Sequence, residues 1–437
     1  MNAFGTTFRS LLQQVLRKRA IRAIGVMASA AGVGQLFILA TLPVVTRLYD
    51  PFAFGLYALI AAFVGVASVG ACLSLDLAII QSSTPLAADK LCAAALFSTP
   101  ITALCSAVIL IFLIEMGLFG YGGLPWWSVP LVAMMVGFNG LYLASRYRHL
   151  REQRYRLVAR ATLAQGAGRA FAPLLWFLVL PNWAGLTLGE WTGRALGVRG
   201  LLLPLVKQFK AESPSFTFSN WWAVVKREKR YTLILLATVL VDATASLLIA
   251  PLLAGAYGAH VAGEYFLVVS VLVAPSALVG TATADFIHTR GAALLRGDPG
   301  QLPFFLRRVA TLLFLVGCGI YLPVYFLAPH VLPILFGPRW VLNVHIAQAM
   351  TPFMIVAFVA SPCSRLLIVL NRTGLKVLSD VVRLIGTPAV IWLATLLELP
   401  FTSAIWLLTC FLAVAYSFYM ALTFLAVRET NQISDAN

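Results

Sequence analysis

Long hydrophobic stretches alternate with short polar gaps along this chain, and the gaps themselves alternate between strongly basic and almost uncharged. Twelve stretches stand out, near residues 24–45, 56–75, 91–114, 128–145, 161–180, 183–203, 231–256, 264–284, 304–327, 346–370, 376–396 and 401–426. Each is about 20 residues long, the length an α-helix needs to cross the hydrocarbon core of a bilayer. The pattern predicts an all-α polytopic membrane protein with about 12 transmembrane helices.

The basic residues orient these helices. With the N-terminus inside, 25 of the 32 Lys and Arg residues fall in inner gaps, and the outer gaps hold only Arg47 and Arg339. That is the positive-inside distribution, and it predicts that both termini are cytoplasmic. A composition of 60% hydrophobic and 11% charged residues, with a mean hydropathy of +0.89, excludes an ordinary soluble globule. The net charge of +16 is then accounted for by topology and by anionic headgroups at the cytoplasmic face, so no nucleic-acid partner is implied.

The outer gaps are short, which leaves no outer domain. Residues 1–22 place Phe4, Phe8, Leu11, Leu12, Val15 and Leu16 at helical spacing and predict an amphipathic cytoplasmic segment on the inner leaflet. Residues 23–205 read as a first lobe of six spans and 231–427 as a second. Between them, 206–230 reads as a cytoplasmic linker, and 428–437 as a cytoplasmic tail. The six cysteines lie in hydrophobic stretches without CxxC spacing and are expected to pack as small apolar groups. No phosphate-binding loop or paired metal-ligand spacing is present, and all five histidines fall near the ends of stretches. Neither catalytic residues, a metal nor a cofactor is expected.

The two halves carry matching signals. Tyr49, Gly55 and Tyr57 map onto Tyr257, Gly263 and Tyr265 at an offset of 208; Asp76 maps onto Asp285 at 209, and the Phe-Gly pair at Phe119 onto that at Phe336 at 217. Such ordered, nearly constant offsets predict a duplicated six-helix unit. Because each half holds an even number of spans, the repeats run parallel, and transporters built this way bind substrate between them.

Five arginines lie inside the predicted spans, where a charged side chain costs about 2.5–3.5 kcal/mol on insertion scales. Arg194 is near mid-span; Arg169, Arg199, Arg365 and Arg383 lie in cytoplasmic halves. Lining an aqueous cleft they would make it cationic and suited to a diphosphate, which guanidinium groups grip in a bidentate manner. Snorkelling to the inner interface is the competing expectation for Arg199 and Arg383. Glu190 shares a helix face with Arg194, and either pairs with it or couples an ion. Asp242 has no basic neighbour at helical spacing and is the leading candidate for ion coupling. Asp380 and Arg383 read as a local pair. Asp76 and Asp285 are expected in structural or gating roles, paired with inner-loop arginines, while Gln35 and Asn139 fit interhelical hydrogen bonds.

The segment 32–59, GVGQLFILATLPVVTRLYDPFAFGLYAL, with Pro43, Thr46, Arg47, Tyr49, Pro51, Gly55 and Tyr57, resembles the opening of the Wzx-type O-antigen and exopolysaccharide flippases. These are a polysaccharide biosynthesis branch of the multidrug, oligosaccharidyl-lipid and polysaccharide exporter superfamily. LREQRYRLVARA (150–161) and LFGPRW (335–340) fit the same family. The resemblance implies a V-shaped bundle of two six-helix lobes, like that of the multidrug and toxic compound extrusion (MATE) transporters, alternating access around a cationic cavity in the bacterial inner membrane. It implies transfer of undecaprenyl-diphosphate-linked oligosaccharide from the cytoplasmic to the periplasmic leaflet, with a proton or sodium gradient left open as the drive. Arg194, Arg169, Arg365, Arg383 and Arg199 would then meet the diphosphate, Asp242 and Glu190 would couple the ion, and Arg47 would join Asp76, Asp285 and Asp380 as gating or structural residues. Bilayer lipids, a polysaccharide polymerase and a chain-length regulator are the partners implied. A multidrug or cation antiporter of the same superfamily stays open as the alternative. A membrane glycan polymerase is disfavoured by the short outer gaps.

Overall fold

The computed structural model describes the backbone of residues 2–212 and 217–436, and the side chains of 25–206, 217–276, 280, 283, 284, 286–298 and 300–430. Among the described residues the chain is all helical. Its elements are α1 (Asn2–Leu48), α2 (Pro51–Val69), α3 (Leu75–Gln81), α4 (Pro85–Glu115), α5 (Ser128–Arg151), α6 (Tyr155–Phe177), α7 (Trp183–Glu212) and α8 (Phe218–Arg227). There follow α9 (Leu236–Leu247), α10 (Ile249–Tyr257), α11 (Ala259–Gly297), α12 (Leu302–Phe336), α13 (Asn343–Cys363), α14 (Arg365–Val369), α15 (Thr373–Leu396) and α16 (Phe401–Ala436).

Helix boundaries follow local chemistry. Pro51 opens α2 with its φ already set for a helix, and the Asp50 carboxylate accepts from the Ala53 amide at 2.7 Å. Gly258 at φ 92° separates α10 from α11, and Gly337 at φ 92° ends α12, a left-handed conformation that glycine adopts without strain. The two glycines of the Phe-Gly pairs, Gly120 and Gly337, both take positive φ.

Among the described residues, ten segments are long and apolar enough to cross a membrane. Helices α6 and α7, which the hydrophobic pattern also reads as spans, are 23 and 30 residues long but are not among those ten. They are the helices that carry Arg169, Glu190, Arg194 and Arg199.

By packing, the chain divides into two compact units. One comprises residues 1–45, 67–109 and 129–236; the other comprises 46–66, 110–128 and 237–437. Packing thus crosses the sequential halves 23–205 and 231–427.

In the first unit, Leu75, Ile79, Leu91, Cys92 and Ala144 bury against Trp221 of α8. The Trp221 indole donates to Ser98 Oγ at 2.9 Å, and Thr217 caps α8 by accepting from the Asn220 amide. Much of the expected linker 206–230 is therefore folded and docked: its serines and charges flank an amphipathic turn whose tryptophan faces inward. Pro214 lies outside the described residues. Helices α6 and α7 approach closely through glycines. A Cβ on Gly193 would lie 2.4 Å from Arg169 Cγ, and one on Gly189 would lie 2.5 Å from Pro173. Small residues at four-residue spacing are how membrane helices bring their backbones together.

In the second unit, α11, α12, α13 and α16 share a core that includes Tyr265, Leu272, Tyr321, Met350, Phe358 and Leu408. Helices α2 and α11 cross at the two glycines of the repeated motif. A Cβ on Gly55 would sit 1.8 Å from the Ala259 carbonyl oxygen, and one on Gly263 would sit 1.9 Å from that of Pro51. Pro51 and Ala259 are themselves related by the offset of 208, so the contact is reciprocal, as between two copies of one element.

A second duplicated feature lies in the turns before α6 and α15. Gln153 and Asn371 take φ 59° and 57°. Around the first, Arg154 N–H donates to His149 O and Leu157 N–H to Arg154 O; around the second, Arg372 N–H donates to Leu367 O and Leu375 N–H to Arg372 O. Every residue of one turn maps onto the other at an offset of 218, one residue beyond the offset of the Phe-Gly pair.

The N-terminal segment 2–24 continues as backbone helix into the first span, and its side chains, which carry the amphipathic pattern, lie outside the described residues.

Candidate functional site

Two of the charge clusters among the described residues lie within the stretches read as membrane spans; a third, around Arg148, Asp89 and Glu152, lies outside those stretches. The first joins α6 to α7. Glu190, 4% exposed, accepts from Arg169 Nε at 2.6 Å through one carboxylate oxygen and from Arg194 at 2.9–3.0 Å through the other. The expected i,i+4 pair of Glu190 and Arg194 forms, and Arg169 joins it from 21 residues earlier. Gly193 permits this: any larger residue there would push the Arg169 side chain and backbone away. Two guanidinium groups around one carboxylate leave the cluster with a formal net charge of +1. The Arg169 side chain is 39% exposed and that of Arg194 is 13% exposed, so the cluster is accessible from the Arg169 side.

The second cluster joins α9, α15 and α16. Arg383 donates to Asp380 at 2.6 Å and to Asp242 at 2.9 Å, and its other terminal nitrogen donates to the Tyr416 hydroxyl at 2.8 Å. Lys376 completes the set, 2.7 Å from Asp380 and 3.5 Å from Asp242. Two cations and two carboxylates give a formally neutral network. The expectation of an unpaired Asp242 is thereby corrected: its partners sit on α15, more than 130 residues away in sequence, where helical spacing along α9 cannot reveal them. Snorkelling is likewise corrected for Arg383, whose side chain is 5% exposed and held inward by carboxylates and by the face of the Tyr416 ring.

The remaining expected residues are separate from these clusters. Arg199 on α7 and Arg365 at the start of α14 are exposed, and neither is ion-paired among the described residues. Arg47 donates to the Ile334 carbonyl at 3.2 Å. Asp76, 7% exposed, makes no ion pair among the described residues, in place of the arginine partner expected for it. It lies in the first turn of α3 and accepts from the backbone amides of Asp76 and Leu77. Burial pushes its carboxyl up from 3.8 to about 6, against the lowering effect of those amides. The side chain of Asp285 lies outside the described residues.

Reading the sequence missed three groups. Lys376 and Tyr416 complete the second cluster from conventional positions near a span end and within a span. Glu264, fully buried, accepts from the Leu342 amide at 2.7 Å and so caps the start of α13 with a carboxyl oxygen. A carboxylate directly after Gly263, in a gap otherwise free of acidic residues, was the available signal.

With this geometry in view, the fold is that of the MATE transporters. An inward-facing multidrug resistance MATE family transporter of the MOP superfamily matches with a TM-score of 0.59 at 13% identity, over 93% of this chain and 95% of that one. A MATE protein in the bent conformation matches with a TM-score of 0.55 at 13% identity, over 96% and 97% of the two chains. The Vibrio cholerae MATE transporter VcmN, as a mutant, matches with a TM-score of 0.51 at 14% identity, over 97% and 98%. No curated protein matches in sequence. The family model described as "Polysaccharide biosynthesis protein" matches residues 44–345, and the chain belongs to that family. The chain thus joins membership of the polysaccharide biosynthesis family to the fold of the MATE transporters, with ten helical segments among the described residues long and apolar enough to cross a membrane.

Proposed function

We propose that this protein is a lipid-linked oligosaccharide flippase that moves undecaprenyl-diphosphate-linked repeat units from the cytoplasmic to the periplasmic leaflet for O-antigen or exopolysaccharide assembly. The observation that carries this is the Arg169, Glu190 and Arg194 cluster, in which one buried carboxylate occupies two guanidinium groups inside hydrophobic helices. A diphosphate is a stronger bidentate partner for these groups than a single carboxylate and takes its place from the exposed Arg169 side. Protonating Glu190 removes its hold on both arginines, so ion coupling at this residue and substrate binding are two uses of the same donors. Arg199 and Arg365 remain as further arginines able to meet phosphate. Arg383, enclosed by Asp380 and Asp242, is assigned to holding α9, α15 and α16 together. Asp242 enters ion coupling only by releasing that network. A polymerase and a chain-length regulator would take the product, and a proton is the coupling ion that Glu190 chemistry favours over sodium.

The test uses cells lacking the protein and a membrane-impermeant lectin or glycosidase that reports the leaflet of lipid-linked repeat units. Single units protected from the outside reagent support the flippase. Accessible but unpolymerised units would point to a polymerase, and normal glycan with altered drug tolerance to a multidrug antiporter. In complemented cells, Arg194→Gln at wild-type abundance should leave units protected, and unchanged export would remove Arg194 from the mechanism.

A further inference from the structure

The second unit contains an apolar cavity of about 280 Å³ between α11 and α12, with Ala347 of α13 also in its lining. Its walls include Leu272 and Pro275 from α11 and Val324, Leu327 and Val331 from α12. The gap arises from backbone chemistry. Pro275 in α11 and Pro323 in α12, both in the lining, each remove a helical hydrogen bond, the usual cause of a kink that opens space between two helices. The polar group in the wall, the Tyr321 hydroxyl, is bonded to Ser276 Oγ at 2.7 Å and to the Leu272 carbonyl at 3.0 Å. A space of this size with its polar group satisfied internally does not hold ordered water well; it accepts hydrocarbon. Leu327 and Val331, 53% and 45% exposed, form an open edge.

The charge at one end of this cleft identifies the occupant. Arg47 donates to the Ile334 carbonyl in the last turn of α12, next to the lining residues Leu335 and Phe336. Trp340 donates to the Thr46 carbonyl at 3.0 Å, which pins the Arg339 segment beside that of Arg47. Arg47 and Arg339 are the two basic residues of the outer gaps, both are exposed, and neither is ion-paired among the described residues. Against a charge pattern that otherwise removes cations from this face, both are held at the end of α12 whose Leu335 and Phe336 line the apolar cleft. The bond to Ile334 uses one of the five N–H donors of the exposed Arg47 guanidinium, which has four more to offer.

We infer that the α11–α12 cleft is a binding site for an anionic phospholipid of the outer leaflet, with its phosphate on Arg47 and Arg339 and one acyl chain in the cavity. Guanidinium groups at a membrane surface pair with lipid phosphate, and the chain fills the volume that the prolines leave open. This site is independent of the sugar cargo and stands whether or not the protein is a flippase.

The full-length protein, purified and stripped of lipid, would be incubated with phosphatidylglycerol or with phosphatidylcholine of the same chains, and retained lipid counted by native mass spectrometry. Retention of one phosphatidylglycerol in preference to phosphatidylcholine is expected, falling about tenfold in the Arg47→Gln, Arg339→Gln double variant. Val324→Phe, which fills the cleft and leaves both arginines in place, should lower retention as well. Phosphatidylglycerol carrying a photoreactive acyl chain should label peptides of α11 and α12 in the unmodified protein, which keeps the test valid if the filled variant does not fold. Equal retention of the two lipids, undiminished retention in the double variant, or labelling spread evenly over all helices would overturn the site. Retention of undecaprenyl diphosphate with none of phosphatidylglycerol would overturn the phospholipid assignment.

Discussion

Glu190 and Asp380 occupy similar chemical positions, each a buried carboxylate between two cations, yet their surroundings predict different outcomes on neutralisation. Asp380 is 1% exposed between Lys376 and Arg383, and Asp380→Asn leaves the enclosed Arg383 with the half-exposed Asp242 as its remaining carboxylate partner among the described residues. Removing a partner from such a pair costs about 3–5 kcal/mol, so a large drop in melting temperature in detergent is expected. Asp242 is 46% exposed, and Asp242→Asn should cost no more than about 1 kcal/mol after solvent screening. Equal losses in the two variants would show that the network is not organised around Asp380. Glu190→Gln should fold, because its amide oxygen still accepts from one arginine, but transport should lose its dependence on the gradient; a variant still driven by the gradient would exclude Glu190 as the coupling group.

Asp76 gives a pH signature of its own. Its carboxyl titrates at about 6 in the folded protein against 3.8 when free, so the fold favours the protonated form. Its contribution is least unfavourable below about 4, worsens as pH rises through that window, and is fully adverse above about 6. Asp76→Asn should therefore stabilise the fold at pH 7.5 by up to about 3 kcal/mol, read as a higher melting temperature, and match the parent at pH 4. A difference that does not change with pH would mean that the fold does not shift the Asp76 carboxyl from its free value.

At the scale of elements, glycines decide which helices can touch. Gly55→Ala and Gly263→Ala each drive a methyl into a backbone carbonyl on the partner helix, an atom that no rotamer change can move. Each should cost about 1–3 kcal/mol or more by overpacking. Gly258→Ala, with no neighbour within 4 Å, tests only the positive φ and should cost less. The same elements show what the sequence discloses. Helix existence and approximate ends were legible, because about 20 apolar residues admit no other structure in a bilayer. The duplication was legible at Tyr49, Gly55 and Tyr57, where a tight crossing restricts residue type. It was hidden at 150–157 and 368–375, because a turn fixed by backbone hydrogen bonds leaves its side chains free to differ. The i,i+4 pair of Glu190 and Arg194 could be read from spacing, whereas the contacts of Asp242 with Arg383 and of Arg169 with Glu190 depend on helix packing that no local spacing encodes. The segment 206–230 looked like a linker because Pro214, several serines and two basic clusters fall near the midpoint of the chain, but a single buried tryptophan with a hydrogen-bond partner on α4 is enough to dock a ten-residue helix.

For the molecule as a whole, the distribution of charge makes a prediction that does not depend on substrate. If 25 of 32 basic residues face the cytoplasm, the turn after α11 must lie inside and the turn after α12 outside. Asp298 and Pro338 are exposed in those two turns. In a background with the native cysteines replaced, Asp298→Cys should be protected from a membrane-impermeant thiol reagent in intact cells and labelled after permeabilisation, while Pro338→Cys should be labelled in both. The reverse pattern would invert the protein, placing the Arg47 and Arg339 face in the cytoplasm and removing the outer leaflet as the source of the lipid in the α11–α12 cleft. Labelling of both positions in intact cells would mean that α12 does not cross the membrane, and the orientation argument would fail at its longest proline-rich helix. Because Arg47 and Arg339 depart from the charge rule on the same face, moving them to glutamine should leave this labelling unchanged: the many inner cations set the topology, and these two are free to serve a lipid.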